Sequence, residues 1–268
     1  MNRGVPTWLV LPLMAAVFAL LVWPLCVLGY GSWHGAVGAD GSAYVRLWQD
    51  SAYRTALLHS LVLSVAVAAV STLLSLGPAW LLARHRFPGK SLVRAAFALP
   101  ASLSGIMVGF LAVVMLGRVG VVPQTTERLF GTPWLSGAAY QMTGLIVAYL
   151  YFEVPRGVLA LEASLGRFDS QWTDAAASLG ANAAQRWWWV TLPLLRPALV
   201  STFALTFSVS LGSFGVALIL SRRFSVLPLE IFYRFTGLAD APLAAAMALS
   251  LTVIALFVQY ALRERGPR

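Results

Sequence analysis

Apolar positions along this chain gather into stretches of about 20 residues, separated by short segments rich in glycine, proline and charge. The stretches lie near residues 8–30, 57–83, 92–117, 139–161, 197–220 and 242–262. A helix of about 20 residues crosses a hydrocarbon core of ~30 Å, so the pattern predicts six transmembrane helices. A membrane β-barrel needs alternating segments of ~10 residues, and none is found. Pro78, Pro100 and Pro155 fall inside predicted spans. Each removes a backbone donor, so neighbouring groups must take up the freed carbonyls, as happens where helices line a pathway. The expected fold is therefore an all-α polytopic membrane protein.

Composition agrees: 59% of the 268 residues are hydrophobic and 11% are charged, against roughly 25% charged in a soluble domain. The net charge of +9 does not point to nucleic acid, because the basic residues are scattered through the connecting segments. Of the 19 Lys and Arg, 12 fall on the side of Arg3, Arg84, Lys90, Arg167 and Arg263, and 7 on the side of Arg46, Arg118 and Arg222. The positive-inside rule then puts both termini and the 162–196 segment in the cytoplasm. Cys26 is the only cysteine, so neither an intrachain disulfide nor a cysteine metal cluster is spelled out. "MNRG" before an apolar run resembles a signal peptide, yet the run from Trp8 to Tyr30 exceeds a typical signal core of 7–15 residues. A retained helix is expected.

The longest inner segment differs from the others. In "DSQWTDAAASLGANAAQRWWWVTLP", Asp169 suits a helix N-cap, Gln171 to Leu179 favours helix, and Gly180 sits where a glycine ends one. Asn182 with Gln185 has the form of a capping box that starts a second helix toward Leu192 and Pro193. Ala175, Ala176 and Ala177 remove bulk beside the turn, which suits docking into a groove on a soluble partner as well as simple helix formation. Trp187, Trp188 and Trp189 are consecutive, and neighbours on a helix point about 100° apart, so the three rings must meet different surroundings.

The order Asp174-Ala175-Ala176, three residues, Gly180, nine residues, Val190, one residue, Leu192-Pro193 resembles the EAA loop of binding-protein-dependent ABC importer permeases. The family pattern is Glu-Ala-Ala, three, Gly, nine, Ile, one, Leu-Pro. Every spacing matches, with Asp174 in place of glutamate and Val190 in place of isoleucine. Asp169 resembles the aspartate that commonly precedes the motif. The resemblance covers about 57–262 and implies a type I (MetI-like) five-helix permease core with coupling loop at about 162–196. Residues 1–56 then add an N-terminal helix and outer loop, and 263–268 form a cytoplasmic tail.

It further implies a multi-pass protein of the bacterial inner membrane, paired with a second permease subunit, a heterodimer being favoured over a homodimer. Two cytoplasmic ABC ATPase subunits would grip the loops through Asp174, Ala175, Ala176, Gly180, Ala181, Leu192 and Pro193. A periplasmic or lipid-anchored binding protein would deliver the solute. ATP and Mg would be used by the partner ATPase, with no cofactor or metal on this chain. Trp187 falls where the family often has an aromatic and is expected to brace the loop, with Trp188 and Trp189 anchored at the membrane interface.

The chain spells out no ATPase of its own. "FPGKS" has the tail of a P-loop, but Arg84 stands where its first glycine belongs. Glu153 and Arg156 are ionisable near the inner end of the fourth span and three apart, so an ion pair is expected before any relay. Candidate pathway residues are Ser104, Gly109, Ser210, Ser213 and Phe214. Small residues also serve ordinary helix contacts, while resemblance to a Gly and aromatic element in these permeases gives Phe214 the part of an apolar plug. A membrane enzyme would need paired acids, a Ser/His set or metal ligands at depth, which are lacking. A secondary transporter would show internal repeats and broken helices, and neither is legible. The overall look resembles permeases for polyamine, phosphonate, ferric iron or thiamine, with sugar or amino-acid importers as the alternative.

Overall fold

The computed structural model describes residues 7–34, 42–166, 171–221, 224–238 and 240–263. All regular structure among them is helical. Six stretches are long and apolar enough to cross a membrane: Met14–Trp33, Ser51–Arg84, Gly105–Phe130, Met142–Leu165, Ala183–Gly212 and Ala241–Leu262. The count matches the apolar pattern; the limits of two spans do not, for reasons that lie in the backbone.

The N-terminal span is α1 (Thr7–Val17) and α2 (Trp23–Trp33), joined without interruption by a π-helical turn over Phe18–Val22. Pro24 follows that turn and has no N–H for the carbonyl of Leu20, which favours a local switch to longer-range bonding. The short α3 (Ser42–Gln49) leads to α4 (Ser51–Arg84), capped by the Asp50 carboxylate on the Ala52 amide at 2.8 Å. At 34 residues, α4 is about 51 Å long and overreaches the bilayer. It begins at 51, so the expected boundary at 56/57 falls within its opening turns.

The predicted third span is two helices, α5 (Lys90–Ser102) and α6 (Gly105–Leu116). Pro100 lies in the last turn of α5, and Leu103 is extended at ψ 144° before Ser104 starts α6. Next come α7 (Val121–Phe130) and α8 (Met142–Leu165). The segment after α8 contains α9 (Gln171–Ser178) and α10 (Ala183–Gln185), then a π-helical stretch over Arg186–Thr191 that continues into α11 (Leu192–Gly212). The expected stop at Leu192-Pro193 does not occur. Pro193 lies inside the continuous helix, where the π-helical turn before it accommodates the missing N–H. The predicted fifth span is also broken, at Ser213, with α12 (Phe214–Leu220) beyond it. The chain ends in α13 (Leu227–Thr236) and α14 (Ala241–Arg263).

The two breaks are packed together. α6 lies on α12 through glycine faces: a Cβ on Gly215 would come within 2.7 Å of the Ile106 nitrogen, and one on Gly109 within 2.9 Å of Ile219 Cβ. Around them Leu63, Val67, Val108, Leu145, Tyr149, Phe152 and Val216 form the main core. Where α8 meets α4, a Cβ on Gly157 would meet Ser75 Oγ at 2.5 Å, and that hydroxyl donates to the Val154 carbonyl at 2.9 Å. At one end of the bundle, α3, α4, α13 and α14 share a cluster that includes Leu47, Tyr53, Leu227 and Met247. There Arg46 pairs with Asp240, and Arg234 with Asp50 and Glu230. At the other end, Arg94 of α5 holds Glu162 of α8 through two hydrogen bonds.

Glu153 and Arg156 pair at 2.7 Å, as expected. They sit in the middle of α8 rather than near its end. Glu153 is fully buried, and its Oε2 has no hydrogen-bond partner. The guanidinium also lies 5.4 Å over the Phe152 ring and 3.5 Å from the Ala101 carbonyl beside the first break.

Two stability outcomes follow. Gly215→Ala forces backbone against backbone and should cost about 1–3 kcal/mol, seen as a lower thermal midpoint in nanodiscs, whereas Gly212→Ala, with open space around it, should be neutral or better. Arg156→Ala leaves the fully buried Glu153 carboxylate unpaired and should cost roughly 3–5 kcal/mol, whereas Glu153→Ala leaves a partly exposed guanidinium and should cost less. The double change Glu153→Leu/Arg156→Met should recover much of that loss in the same measurement.

Candidate functional site

Two regions gather the residues singled out in the sequence. The first is the loop from α9 to α11. Asp169 lies outside the described residues. From Gln171 the helix runs to Ser178, and the chain reverses through a glycine-dependent cap. The Ala181 amide donates to the Ala176 carbonyl and the Gly180 amide to the Ala177 carbonyl, both at 3.0 Å, with Gly180 at φ +85°. This pairing needs a left-handed residue at its centre, which is why glycine is there. Asn182 then accepts the Gln185 amide at 2.8 Å while Gln185 Oε1 accepts the Asn182 amide at 2.9 Å, the reciprocal capping box expected from sequence.

The result is a protruding helix, turn and helix. Asp174, Ala175 and Gly180 are exposed, and Leu179 at the tip is 89% exposed. Leu179 is thus an apolar side chain without intramolecular cover, flanked by small side chains. A Cβ on Gly180 would meet nothing within 4 Å, so the glycine is required there by backbone conformation and not by crowding. Ala176 and Ala181 are half-buried on the inner side of the turn.

The three tryptophans separate as their spacing required. Trp187 is half-buried and meets Trp80 of α4 edge to face at 5.5 Å, within a cluster formed by Leu82, Leu161 and Leu195. Trp188 and Trp189 are exposed, the latter to 81%. All three lie in the π-helical stretch, closed by the Leu192 amide donating to the Trp187 carbonyl five residues back. Pro193, which has no N–H for the Trp189 carbonyl, supplies a local reason for the wider turn. Leu192 is half-buried and Pro193 exposed.

The second region is the pair of breaks. Ser104 caps α6, its hydroxyl accepting the Met107 amide at 3.4 Å. Ser213 opens α12 without a side-chain cap, and its carbonyl accepts the hydroxyl of the buried Tyr149 at 2.7 Å. Gly109 and Ser210 are buried, and the Ser210 hydroxyl has no partner. Phe214 is half-buried against Phe232 of α13, with ring centres 5.0 Å apart. Its ring thus has a neighbour in this chain and does not stand free in an opening.

Tyr149, Glu153 and Arg156 fall at i, i+4 and i+7 along one stripe of α8. The stripe faces both breaks, Tyr149 touching Ser213 and Arg156 reaching Ala101. The sequence reading missed Tyr149. Its position seven residues before Arg156 was the available signal. Both helices that the stripe faces are interrupted, the first just after Pro100, one of the prolines noted within the predicted spans, and the second at Ser213, where no proline marks it. Beside it, Val108, Leu111, Ala112, Met115, Val147 and Tyr151 line an apolar cleft of about 360 Å³ between α6 and α8. Among the described residues no group of His, Cys, Asp and Glu is arranged to hold a metal.

No protein-family model matches the chain. It is 30% identical over 266 residues to the molybdenum transport system permease ModB of Mycobacterium tuberculosis, covering 98% of this chain and 95% of that one. It is also 31% identical over 229 residues to the sulfate transport system permease CysT of Escherichia coli, covering 81% and 78%. In structure it resembles a bacterial ABC transporter that imports the acidic polysaccharide alginate, with a TM-score of 0.79 at 19% identity over 97% of this chain and 96% of that one. Near-complete alignment in sequence with a permease at 30% identity, together with the likeness in fold, shows that the chain belongs to the permeases of binding-protein-dependent ABC importers, membrane subunits that leave ATP hydrolysis to partner ATPases.

Proposed function

We propose that this chain forms the translocation pathway of an importer for a tetrahedral oxyanion of the molybdate and sulfate class. The observation that carries the reading is its similarity, over nearly the whole chain, to a permease named for molybdenum, with a sulfate permease close behind. The donors at the breaks are compatible with it. Arg156, although paired with Glu153, is a mid-span guanidinium that is partly exposed and lies beside Ala101, and the N-terminus of the 12-residue α6 opens at the same break with the partial positive charge of a helix start. Of the solutes expected from sequence resemblance, polyamines, thiamine and ferric iron are cationic and differ in charge from molybdate and sulfate. Phosphonate shares the anionic tetrahedral head and fits the same chemistry.

Ser104, Gly109, Ser210, Ser213 and Phe214 belong to the pathway wall in this reading, with the two breaks at its narrowest part. Asp174, Ala175, Ala176, Gly180 and Ala181 form the face that docks on an ATPase subunit, which supplies ATP and Mg. Trp187 would brace the loop against α4, Leu192 and Pro193 would carry it into the membrane, and Asp169 belongs to the same coupling segment. Both termini lie in the cytoplasm with the loop, following the bias in Lys and Arg. A second permease subunit completes the pathway, and an extracytoplasmic binding protein delivers the anion.

With the reconstituted transporter and its binding protein, radiolabelled molybdate or sulfate should accumulate on ATP addition, and unlabelled putrescine should not compete. Uptake of putrescine in place of either oxyanion would overturn the cargo assignment. Gly180→Trp places a large side chain in the left-handed turn at the docking tip. It should abolish co-purification of the ATPase while the permease still inserts. Asp174→Ala should lower ATP-driven uptake more than it lowers expression. Equal losses of both would mean that Asp174 serves folding alone.

A further inference from the structure

Helix α5 carries the backbone to the first break, yet none of its residues is fully buried. It packs mainly on α8, and apolar burial alone gives it little hold on the bundle. Polar contacts at two levels add to that hold. Near the start of α5, Arg94 presents a guanidinium fork to Glu162, Nε donating to one carboxylate oxygen at 3.2 Å and Nη2 to the other. Arg94 is 53% exposed but the Glu162 side chain only 8%, and a bidentate pair fixes orientation as well as distance. Near the end of α5, the Ala101 carbonyl accepts from Arg156 Nη2 at 3.5 Å. It is among the last carbonyls of its helix, which have no intrahelical donor.

The two levels lie about 10 Å apart along each helix at the rise of an α-helix. A helix held at one point can pivot about it. Held at two, it follows its neighbour as one body. Both points belong to the helix that leads into the loop: Glu162 sits in the last turn of α8, which ends at Leu165. Leu161 and Leu165 pack in the same cluster as Trp187 of the loop and Phe97 of α5.

We propose that Arg94 and Glu162 are positioning residues that convey movement of the coupling loop to the first break of the pathway. Displacement of the loop by its ATPase reaches α8 where Arg94 is attached, and α5 passes it on to Leu103 and Ser104. This role rests on the coupling function proposed for the loop and does not depend on the identity of the solute.

The test uses the purified permease–ATPase complex in nanodiscs, with Ser102→Cys in a Cys26→Ser background as a reporter at the break, where Ser102 is exposed. The rate at which a water-soluble maleimide labels this chain should change when ATP and vanadate trap the closed ATPase. Arg94→Gln should shrink that change roughly fivefold, the lower end of ordinary coupling between sites, while the ATPase still co-purifies. Arg94→Lys, which keeps the charge without the fork, should give an intermediate value. Arg46→Gln breaks an ion pair at the opposite end of the bundle. It should lower the thermal midpoint about as much as Arg94→Gln and leave the labelling change intact.

A labelling change of parental size in Arg94→Gln would overturn the proposal. So would an equal loss in Arg46→Gln, which would assign the Arg94 pair to stability alone. A parent complex that assembles and shows no change at the reporter would overturn this role while the loop assignment stands. A parent permease that does not retain the ATPase would overturn the loop assignment and this role with it, a result already visible at co-purification.

Discussion

A backbone that breaks inside hydrocarbon frees amide and carbonyl groups that lipid cannot satisfy, and the centre of this bundle is organised around two such breaks. They share a solution. Ser104 supplies an acceptor for the start of α6, and Tyr149 reaches across from α8 to donate to the Ser213 carbonyl. Glycines at 105, 109 and 215 let α6 and α12 approach at backbone distance, so dispersion over a close interface replaces what continuous helices would have provided. The surrounding core of Val67, Val108, Leu145 and Val216 fixes that contact from several sides.

The ends of the bundle use different means. Around α3, α13 and the start of α4, arginines at 46 and 234 are neutralised by Asp50, Glu230 and Asp240. At the other end Arg94 and Glu162 join α5 to α8. The positive-inside rule counts basic residues without regard to their partners. Among the described residues, ion pairs tie down basic groups at both ends, Arg46 and Arg234 at the expected outer one and Arg94 at the expected inner one.

Hydropathy alone revealed the six spans because each stretch is long, apolar and flanked by polar turns. The loop was legible in greater detail, since its caps depend on local chemistry: Gly180 and the Asn182–Gln185 box are read from four residues each. The breaks were hidden because "LPASLSGI" and "SLGSFGVA" remain apolar or small throughout, and a hydropathy window cannot register an extended residue within such a run. Pro100 was the visible clue at the first and the Gly-Ser-Phe-Gly order at the second. The continuation through Pro193 went unforeseen because a proline inside a helix resembles a stop, and the π-helical turn that accommodates it leaves no separate mark in the sequence. Tyr149 was overlooked for a further reason: its role depends on a partner 64 residues away.

The joined segment Ala183–Gly212 contains 30 residues, a rod of about 45 Å at the rise of an α-helix. One end is planted in the capped turn next to Gly180 and the other stops at Ser213. The wide turn over Arg186–Thr191 accommodates extra backbone within that rod, setting the angular phase of one end against the other. Lengthening or tightening that turn by a single residue would therefore act as a torsional adjustment, swinging the surface that α11 presents at the second break while leaving the turn at Gly180 unchanged in its own geometry.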